Sequence, residues 1–479
     1  MKVTIMGLGV NGGGLESARY LALKGAECTI TDMKDQKTLA ASIEELEKLS
    51  GSHPPFRYVL GRHEMGDFSK ADMVVKNPAI RPDSPYLAAA SLIETDISLF
   101  LAASPARLIA VTGTKGKSVT ASAAHWVLHR AKAAGGAFLG GNITVSPLAF
   151  LDKLTAEDDV VLELSSWQLG DLKGRVNDKG RPLLKPRAAI LTAIMPDHMD
   201  RYSSLDAYVD DKRLIYSGQD KEDATIACID DHWGAGFLNE TPGRGLPYSE
   251  KPFTAGKATA AQTTVHSAWI DPQSGAGMVS CKEGTAEAVP AQLLVRGRHN
   301  KKNCLAAALA LADIGVPASI IRESLGSFPG IEHRLEFVRE TRGVSFYNDS
   351  AATIPEAAAA AIEAFTGGHE PRLVLVTGGT DKNLDFRPLA AMIEAKRELL
   401  DIILLPGTGS DKLIPLLKGA GIPYHGPYDS LEKAAQAAER LGRVKTPSDV
   451  VLSPGCTSFG MFANEFDRGQ QWKDAVCRL

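Results

Sequence analysis

Residues 111–120, Val-Thr-Gly-Thr-Lys-Gly-Lys-Ser-Val-Thr, are the part of the sequence that most constrains the fold. The apolar run 108–111 before this segment predicts a buried strand, and residues 121–127 after it predict the start of a helix. A strand, a glycine-rich turn, a Lys-Ser pair and a helix form the layout that holds a nucleotide polyphosphate. The turn glycines let backbone N–H groups approach the phosphates, and the helix N-terminus adds partial positive charge.

Two residues of this phosphate loop have specific expected roles, and its other residues are expected to contact ATP. The Lys117 amine is expected against the β- and γ-phosphates, and the Ser118 hydroxyl is expected on Mg²⁺. The segment departs from the strict P-loop because Val111 stands where that pattern has its first glycine. The residues expected to contact ATP here are Gly113, Thr114, Lys115, Gly116, Lys117, Ser118 and Val119.

Composition bounds the class of protein. A length of 479 residues predicts about three domains. The net charge of −4 and the absence of a long basic run argue against a nucleic-acid partner. The six cysteines form no CxxC pair, which favours free thiols in a reducing compartment over a zinc site. Neither a signal peptide nor an apolar run of membrane-spanning length is visible, so we expect a cytoplasmic protein without a membrane partner.

The first segment, 1–104, resembles a dinucleotide-binding unit. Gly7, Gly9 and Gly12 follow a predicted strand in GxGxxG spacing, and Asp32 ends the next strand. We expect Asp32 to accept hydrogen bonds from a ribose or a base. Asn77 follows another predicted strand, at the edge where open α/β sheets bind ligands. Taken alone, this segment would also suit an NAD-dependent oxidoreductase.

The second segment, 105–311, adds candidate metal ligands. Glu163 ends the apolar strand 160–164, which suits a Mg²⁺ ligand near Ser118. His198 follows the next strand, 188–192, and is a candidate ligand for a second metal. Lys212 lies in a predicted helix, and its pattern alone predicts a surface lysine. Residues 241–290 lack strong periodicity and predict a short-stranded or loop-rich insertion.

The third segment, 312–479, repeats strand-then-glycine units at 373–379, 402–407 and 449–455. Such units predict a parallel sheet with ligands at the strand C-termini. The predicted fold is therefore α/β with three domains: a Rossmann-like domain over 1–104, a P-loop-type ATPase domain over 105–311 and a second Rossmann-like domain over 312–479.

Several longer motifs together resemble the Mur ligases of bacterial cell-wall synthesis, and most closely their glutamate-adding branch. The resemblance runs through all three segments. Its most specific pieces are Gly113–Ser118, Gly141–Ile143, Leu162–Leu169, Asp197–Tyr202, His299–Asn300 with Asn303, His333–Arg334, Asn348–Ser350, Gly378–Gly379 with Lys382, and Ser453–Pro454 with Ser458.

The resemblance implies a reaction. ATP phosphorylates the carboxylate of UDP-N-acetylmuramoyl-L-alanine, and the glutamate nitrogen attacks this acyl phosphate to form an amide. The first domain is expected to bind the uridine diphosphate, the second ATP and Mg²⁺, and the third to bring the amino acid and close over the site. Small-molecule substrates, a monomeric state and a role in peptidoglycan precursor synthesis are expected with it.

The resemblance also implies residue roles. Lys117, His198 and Lys212 become catalytic residues, and the metal ligands become Ser118, Glu163, His198 and Lys212. Lys212 matches a lysine that family members carry as a carbamate. The expected adenosine contacts are Asn300, Asn303, Arg334 and Asp349, and the expected substrate contacts are Gly9, Asp32, Asn77, Asn142, Lys382 and Ser458.

Four departures from the family pattern leave alternatives open. Ala351 stands where glutamate ligases carry a lysine, Glu465 where an aromatic residue is common, and Met195-Pro196 where Thr-Glu is frequent. Extra sequence at 170–187 predicts a solvated loop. D-glutamate is the expected amino acid, with L-glutamate or another amino acid as the alternative, and a non-catalytic nucleotide-binding protein is the remaining class.

Overall fold

The structure is a computed structural model. It describes residues 1–9, 12–49, 53–131, 135–143, 145–253, 266–282, 284–366 and 372–479. The chain divides into two compact units. One comprises Met1–Ala291 with Asn303–Ser324, and the other Gln292–Lys302 with Leu325–Leu479. None of the helices in the described ranges combines the length and the apolar character needed to cross a membrane.

The first sheet has five parallel strands in the order β3-β2-β1-β4-β5. Its strands are β1 (Lys2–Met6), β2 (Glu27–Asp32), β3 (Arg57–Leu60), β4 (Met73–Lys76) and β5 (Ile93–Glu94). Its helices are α1 (Gly13–Leu23), α2 (Ala40–Glu47), α3 (Met65–Ser69), α4 (Pro85–Ala88) and α5 (Asp96–Ala103). This strand order is that of a Rossmann-like sheet, as the sequence predicts. Two residues of the glycine-rich turn, 10 and 11, lie outside the described residues.

The second sheet belongs to the same unit and has nine strands in the order β14-β13-β12-β11-β10-β9-β6-β8-β7. Its parallel strands are β6 (Arg107–Thr112), β7 (Ala137–Gly141), β8 (Asp159–Glu163), β9 (Ala188–Leu191), β10 (Ala224–Cys228), β11 (Arg244–Ser249) and β12 (Ser267–Ile270). The antiparallel strands β13 (Gly277–Cys281) and β14 (Gly284–Val289) complete it. The predicted insertion at 241–290 thus contributes short strands to one edge of the sheet, and its residues 254–265 and 283 lie outside the described residues.

Helices cover this sheet because their small residues pack tightly against it. The helix that follows the phosphate loop buries Ala121, Ala123 and Ala124 completely, together with Val127. The helices of this part of the chain are α6 (Lys117–Ala131), α7 (Ser166–Gly170), α8 (Leu205–Arg213), α9 (Gly234–Glu240), α10 (Arg298–Asp313) and α11 (Ala318–Gly326), with 3₁₀ turns at Pro147–Lys153 and Leu214–Tyr216. The boundary between the two units falls within α10 and again within α11.

The third sheet lies in the second unit and has the order β15-β16-β19-β17-β18. Its strands are β15 (Glu336–Thr341), β16 (Val344–Asn348), β17 (Arg372–Gly378), β18 (Leu400–Leu405) and β19 (Ser448–Leu452). Only β15 runs antiparallel to its neighbour among these strands. The helices are α12 (Pro355–Thr366), α13 (Arg387–Ala395), α14 (Thr408–Gly419), α15 (Leu431–Gly442) and α16 (Glu465–Cys477), with a 3₁₀ turn at Arg397–Leu399. The three sheets confirm the predicted α/β class.

Candidate active site

The phosphate loop joins β6 to α6, and its glycines allow close approach of neighbouring residues. Gly113 and Gly116 have φ angles of 143° and 93°, which side chains other than glycine rarely adopt. A Cβ on Gly113 would lie 1.9 Å from Thr192 Oγ1, and one on Gly116 would lie 2.4 Å from Asn303 Oδ1. Both glycines are therefore required by the packing of the loop against Thr192 and Asn303.

Thr114 ties the phosphate loop to the segment that follows β9. Its backbone N–H donates to the Ala193 carbonyl at 2.8 Å. Its hydroxyl lies 3.0 Å from the Met195 carbonyl and 3.0 Å from the Tyr208 hydroxyl on α8. The loop conformation is thus fixed by contacts with neighbouring strands and helices.

Two lysine amines meet at this loop. The Lys117 amine donates to the Thr114 carbonyl at 3.0 Å, and the Lys212 amine donates to the Gly113 carbonyl at 2.9 Å. Lys212 is only 1% exposed, so the prediction of a surface lysine is wrong: α8 turns this residue inward, where Tyr208 covers it. Burial, assisted by the positive charge of Lys117, lowers the pKa of Lys212 to about 7. A large part of Lys212 is therefore neutral amine near neutral pH.

Glu163 is the last residue of β8, which lies between β6 and β7 in the second sheet. In the sheet register, it pairs with Val111 of β6 and with Gly141 of β7. Asn142 donates its amide N–H to Glu163 Oε1 at 2.9 Å, whereas Glu163 Oε2 is buried and finds no hydrogen-bond partner in the described part of the chain. A buried carboxylate oxygen that lacks a partner is a suitable ligand for a hard cation. Glu163 alone offers such an oxygen here, because the described residues contain no group of three or more His, Cys, Asp or Glu side chains placed to hold a metal ion.

His198 occupies a turn whose backbone is uncommon for its residue type. Its φ angle is 55°, and its carbonyl accepts the backbone N–H groups of Arg201 and Tyr202. The Trp167 ring lies 4.9 Å from the His198 ring, and the Arg201 guanidinium lies 4.1 Å from the Trp167 centroid. This packing supports the left-handed turn that places the imidazole.

One cleft of about 390 Å³ brings several predicted residues together. It is lined by residues from both sheets of the first unit: Gly13, Asn77, Pro78, Ala79, Asp96, Lys117, Gly141, Asn142, Ser146, Ser165, Trp167, Gln168 and His198. Asn77, Lys117, Asn142 and His198 were predicted from the sequence. The cleft thus joins the carboxyl edge of the first sheet to the phosphate loop.

In the first sheet, Asp32 holds the glycine turn. Its carboxylate accepts the backbone N–H of Gly9 at 3.1 Å and that of Lys34 at 2.9 Å. Asn77 accepts the backbone N–H of Ala79 at 3.1 Å, and a Cβ on Gly9 would lie 3.4 Å from the Asn77 amide nitrogen. Asp32 and Asn77 therefore both lie against Gly9 at this edge of the first sheet.

In the second unit, Asp349 is a buried carboxyl. It accepts the Ser453 hydroxyl at 2.6 Å and the backbone N–H of Leu335 at 3.2 Å. Burial raises its pKa to about 7, although the positive charges of Arg334 and Arg468 oppose the shift. Asn300, also buried, donates its amide to the Arg296 carbonyl at 2.7 Å.

Lys382 and Ser458 lie in loops at the carboxyl edge of the third sheet. The Lys382 amine is 5.9 Å from the ring of Phe459, an exposed residue next to the buried Ser458. Phe466, one residue after Glu465, is also exposed, and its ring lies 5.4 Å from that of His333. An aromatic side chain is thus present one position later than the family pattern has it.

Comparison with known proteins identifies the family of the chain. Residues 111–311 match the sequence pattern of the Mur ligase middle domain, and residues 333–456 match that of the Mur ligase glutamate ligase domain. A Treponema pallidum protein named UDP-N-acetylmuramoylalanine–D-glutamate ligase is 39% identical, over 99% of this chain and 97% of its own length. A Roseiflexus protein of the same name is 37% identical, over 99% and 98%.

The chain belongs to the Mur ligase family. Solved structures with the same fold include a UDP-N-acetylmuramate–alanine ligase from Thermotoga maritima, with 17% identity, a TM-score of 0.53 and coverage of 100% of this chain and 99% of that one. A second is a UDP-N-acetylmuramoyl-L-alanyl-D-glutamate–2,6-diaminopimelate ligase, with 15% identity, a TM-score of 0.57 and coverage of 95% and 94%. Family membership leaves the oxidoreductase alternative without support.

The extra segment at 170–187 of this Mur ligase is mostly exposed, and some of its charged side chains form ion pairs. Arg175 forms an ion pair with Glu94 at the end of β5, and Lys185 forms ion pairs with Asp220 and Asp223. Lys185 is nevertheless exposed, as are Lys173, Lys179, Arg181 and Arg187, so the prediction of a solvated loop is confirmed for these side chains; only Arg175 is half-buried, against Glu94.

A buried ion pair connects the two sheets that form the cleft. The Lys76 amine lies 2.7 Å from Asp171 Oδ2, and the two side chains are 4% and 7% exposed. Lys76 ends β4 directly before Asn77, and Asp171 directly follows α7, which carries Trp167 and Gln168. The pair therefore fixes two walls of the cleft against each other.

Replacing Lys76 with methionine is expected to lower the free energy of unfolding by about 3–5 kcal/mol, because the Asp171 carboxylate stays buried without its cation. Urea unfolding followed by circular dichroism measures the loss. The double variant Lys76→Met/Asp171→Leu is the matched control and is expected to recover most of the stability. Equal losses in the single and double variants would contradict this account.

The raised pKa of Asp349 predicts that its contribution to the free energy of unfolding depends on pH. Its pKa in the folded protein, about 7, lies above the ordinary aspartate value of 3.8, so the folded state holds the proton more tightly. Its contribution is therefore complete below about pH 4 and is lost as pH rises toward 7, at no more than about 1.36 kcal/mol per pH unit. Unfolding free energies of the wild type and Asp349→Asn at pH 5, 6, 7 and 8 are expected to diverge in this sense; parallel pH profiles would refute it.

Proposed function

We propose that this Mur ligase joins D-glutamate to UDP-N-acetylmuramoyl-L-alanine with conversion of ATP to ADP and phosphate, in peptidoglycan precursor synthesis. One observation carries the proposal: a single cleft holds the phosphate-loop amine of Lys117 together with Asn77, Asn142 and His198. The similarity to D-glutamate ligases over almost the full length of the chain supports the choice of substrates. L-glutamate or another amino acid is the alternative for the incoming amine.

The three segments of the chain have separate roles in this proposal. Segment 1–104 binds the uridine diphosphate through Gly9, Asp32 and Asn77. Segment 105–311 binds ATP, and segment 312–479 binds the amino acid. The first two segments line the same cleft, which suits a substrate that extends from a nucleotide to a reacting carboxylate.

ATP is proposed to bind at the phosphate loop. The backbone N–H groups of residues 113–119 and the start of the 15-residue helix α6 attract the phosphates, and the Lys117 amine neutralises charge that develops on the transferred phosphoryl group. Asn303, which packs on Gly116, and Asn300, Arg334 and Asp349 are proposed to contact the adenosine.

Mg²⁺ is proposed to be held by Ser118 and Glu163, and a second metal by His198 and a carbamate on Lys212. When bound, these ions supply positive charge at the phosphoryl oxygens. The free oxygen of Glu163 supports the first assignment, and the low pKa of the Lys212 amine supports the second, because only a neutral amine adds to CO₂. Asn142 orients Glu163 and is proposed to contact the muramoyl group as well.

The reaction proceeds by two substitutions. An oxygen of the alanyl carboxylate forms a bond to the γ-phosphorus as the bond to ADP breaks. The glutamate amine then attacks the acyl carbon, loses a proton and displaces phosphate, so that an amide forms. Lys382 and Ser458 are proposed to bind the carboxylates of glutamate, since an amine and a hydroxyl donate to such groups.

Phosphate release from ATP tests the proposed reaction. The purified protein is assayed with UDP-N-acetylmuramoyl-L-alanine and D-glutamate, L-glutamate or no amino acid. Release that depends on the acceptor and on D-glutamate is the expected result. Dependence on L-glutamate alone would refute the proposed stereochemistry, and no release with either would refute the substrate assignment. Ala351→Lys, assayed alongside, reports whether the missing lysine affects KM for ATP and glutamate.

The remaining expectations belong to the same proposal. The partners are small molecules, and the enzyme acts as a cytoplasmic monomer that needs neither a membrane nor a nucleic acid. The absence of a long basic run supports the last point. Sedimentation at assay concentrations distinguishes a monomer from a dimer.

A further inference from the structure

Asp96 is a buried carboxyl in the cleft to which none of the sequence motifs pointed. It opens α5, where Thr95 caps the helix, and it is 6% exposed. Its Oδ2 accepts the Ser146 hydroxyl at 2.9 Å, and its Oδ1 is buried and has no hydrogen-bond partner among the residues that the structure describes. The sequence signal was an ordinary one, since acidic residues are common in the first turn of helices.

Hydrogen bonds alone offset the burial of this group. Burial raises the pKa of Asp96, and the opposing influences are the Ser146 hydroxyl and the backbone amides of Asp96 and Ile97. No cation from the described ranges contributes to the shift. A buried carboxylate with neither an ion pair nor a complete set of donors is costly, and a hydrogen-bond donor supplied by a ligand would complete the set.

The position of Asp96 suggests which part of a ligand supplies that donor. Gly13, the first residue of α1, is close enough that a Cβ on it would lie 3.4 Å from Asp96 Oδ2. Ser146 comes from the loop that also carries Asn142. Asp96 therefore lies between the start of α1, next to the first sheet, and the second sheet. It lines the same cleft as Asn77 and Lys117.

We propose that Asp96 binds the sugar ring of the acceptor and accepts a hydrogen bond from a sugar hydroxyl or from the acetamido N–H. The oxygens of a carboxylate accept hydrogen bonds, and negative charge at this position would repel a diphosphate or an acyl phosphate. The uridine and the sugar are both uncharged and carry donors, but the sugar is the one next to the carboxylate that must reach the phosphate loop, and Lys117 of that loop lines the same cleft as Asp96. This inference rests on the proposed function and adds a binding residue to it.

A series of three ligands tests the inference by calorimetry: UDP, UDP-N-acetylmuramate and UDP-N-acetylmuramoyl-L-alanine. For Asp96→Asn, UDP affinity is expected to change less than twofold, which also shows that the variant is folded. Affinity for both sugar-bearing ligands is expected to fall about 10-fold, as for a lost hydrogen bond to a charged group. Asp158→Asn, which neutralises a buried carboxyl outside the cleft lining, is the matched control and is expected to bind all three ligands normally.

Three results would overturn the inference. Equal weakening of UDP and of the sugar-bearing ligands would mean that Asp96 supports the fold or contacts the uridine diphosphate. Unchanged affinity for all three would mean that Asp96 does not touch the ligand. A loss that appears only with the alanyl ligand would assign the contact to the alanine. If the wild type binds the sugar-bearing ligands no better than UDP, the proposed function itself fails.

Discussion

Replacing Lys117 with alanine is expected to lower acceptor-dependent phosphate release by about 10²–10³-fold, the range seen when one fixed electrostatic group is removed from a reacting centre. The Lys117 amine lies at the start of α6, 3.0 Å from the Thr114 carbonyl, and lines the same cleft as His198. Transfer of a phosphoryl group spreads negative charge over its oxygens, and this amine is the fixed cation that the phosphate loop offers there. The effect is expected mainly in kcat, because the charge develops in the transition state.

Lys153→Ala is the control for this prediction. Lys153 ends the 3₁₀ turn Pro147–Lys153, its side chain is exposed, and it does not line the cleft. Its replacement is expected to leave kcat and the unfolding midpoint unchanged. A Lys117→Ala variant that folds normally and keeps more than half of the wild-type turnover would reject the phosphate-loop assignment.

The phosphate loop and the sheets around it could be predicted because their signals are local. Gly113 and Gly116 are required by backbone angles and by the side chains of Thr192 and Asn303, and such glycines leave a mark in the sequence. Buried parallel strands leave apolar runs, and 160–164 and 373–377 became β8 and β17. These elements could be predicted because the residues that determine each local structure lie in the same short segment that adopts it.

Contacts between distant segments could not be predicted in this way. Lys212 looks like any helical lysine, and its burial depends on Tyr208 and on the phosphate loop 99 residues earlier. Asp96 looks like an ordinary first-turn acid, and its role as a cleft residue depends on Ser146 and Gly13. The pairing of Lys76 with Asp171 likewise joins two sheets. In each case the environment that changes the chemistry of the group is built by residues far along the chain.

Replacing Lys212 with methionine is expected to lower turnover by about 10²-fold or more, since it removes a group proposed to hold charge at the metal. Burial and the nearby Lys117 lower the pKa of the Lys212 amine to about 7. Above this pH, the neutral amine can add to CO₂: a nitrogen–carbon bond forms, a proton is released, and the product is a carbamate anion. The Lys212 side chain thereby changes from an amine whose protonation is disfavoured by burial to an anion that suits Mg²⁺.

The pH dependence follows from the direction of this shift. Below about pH 7 the amine is protonated and cannot add to CO₂, so turnover is expected to fall as pH decreases through this value and to rise with added bicarbonate. In the wild type, ¹³CO₂ is expected to give a carbamate signal by NMR that Lys212→Met lacks. Lys221→Met, which removes an exposed lysine ahead of β10, is the control and is expected to keep both the signal and the turnover.

Stability separates this chemical role from a structural one. Methionine fills a similar volume and removes the cost of burying an amine, but it also loses the 2.9 Å hydrogen bond to the Gly113 carbonyl. These effects oppose each other, so the free energy of unfolding is expected to change by no more than about 1 kcal/mol. If Lys212 acts as a carbamate, the Lys212→Met variant therefore loses most of its turnover while its free energy of unfolding stays close to that of the wild type. A variant that loses stability and turnover together, with the ¹³C signal absent from the wild type, would leave Lys212 as a support for the phosphate loop alone.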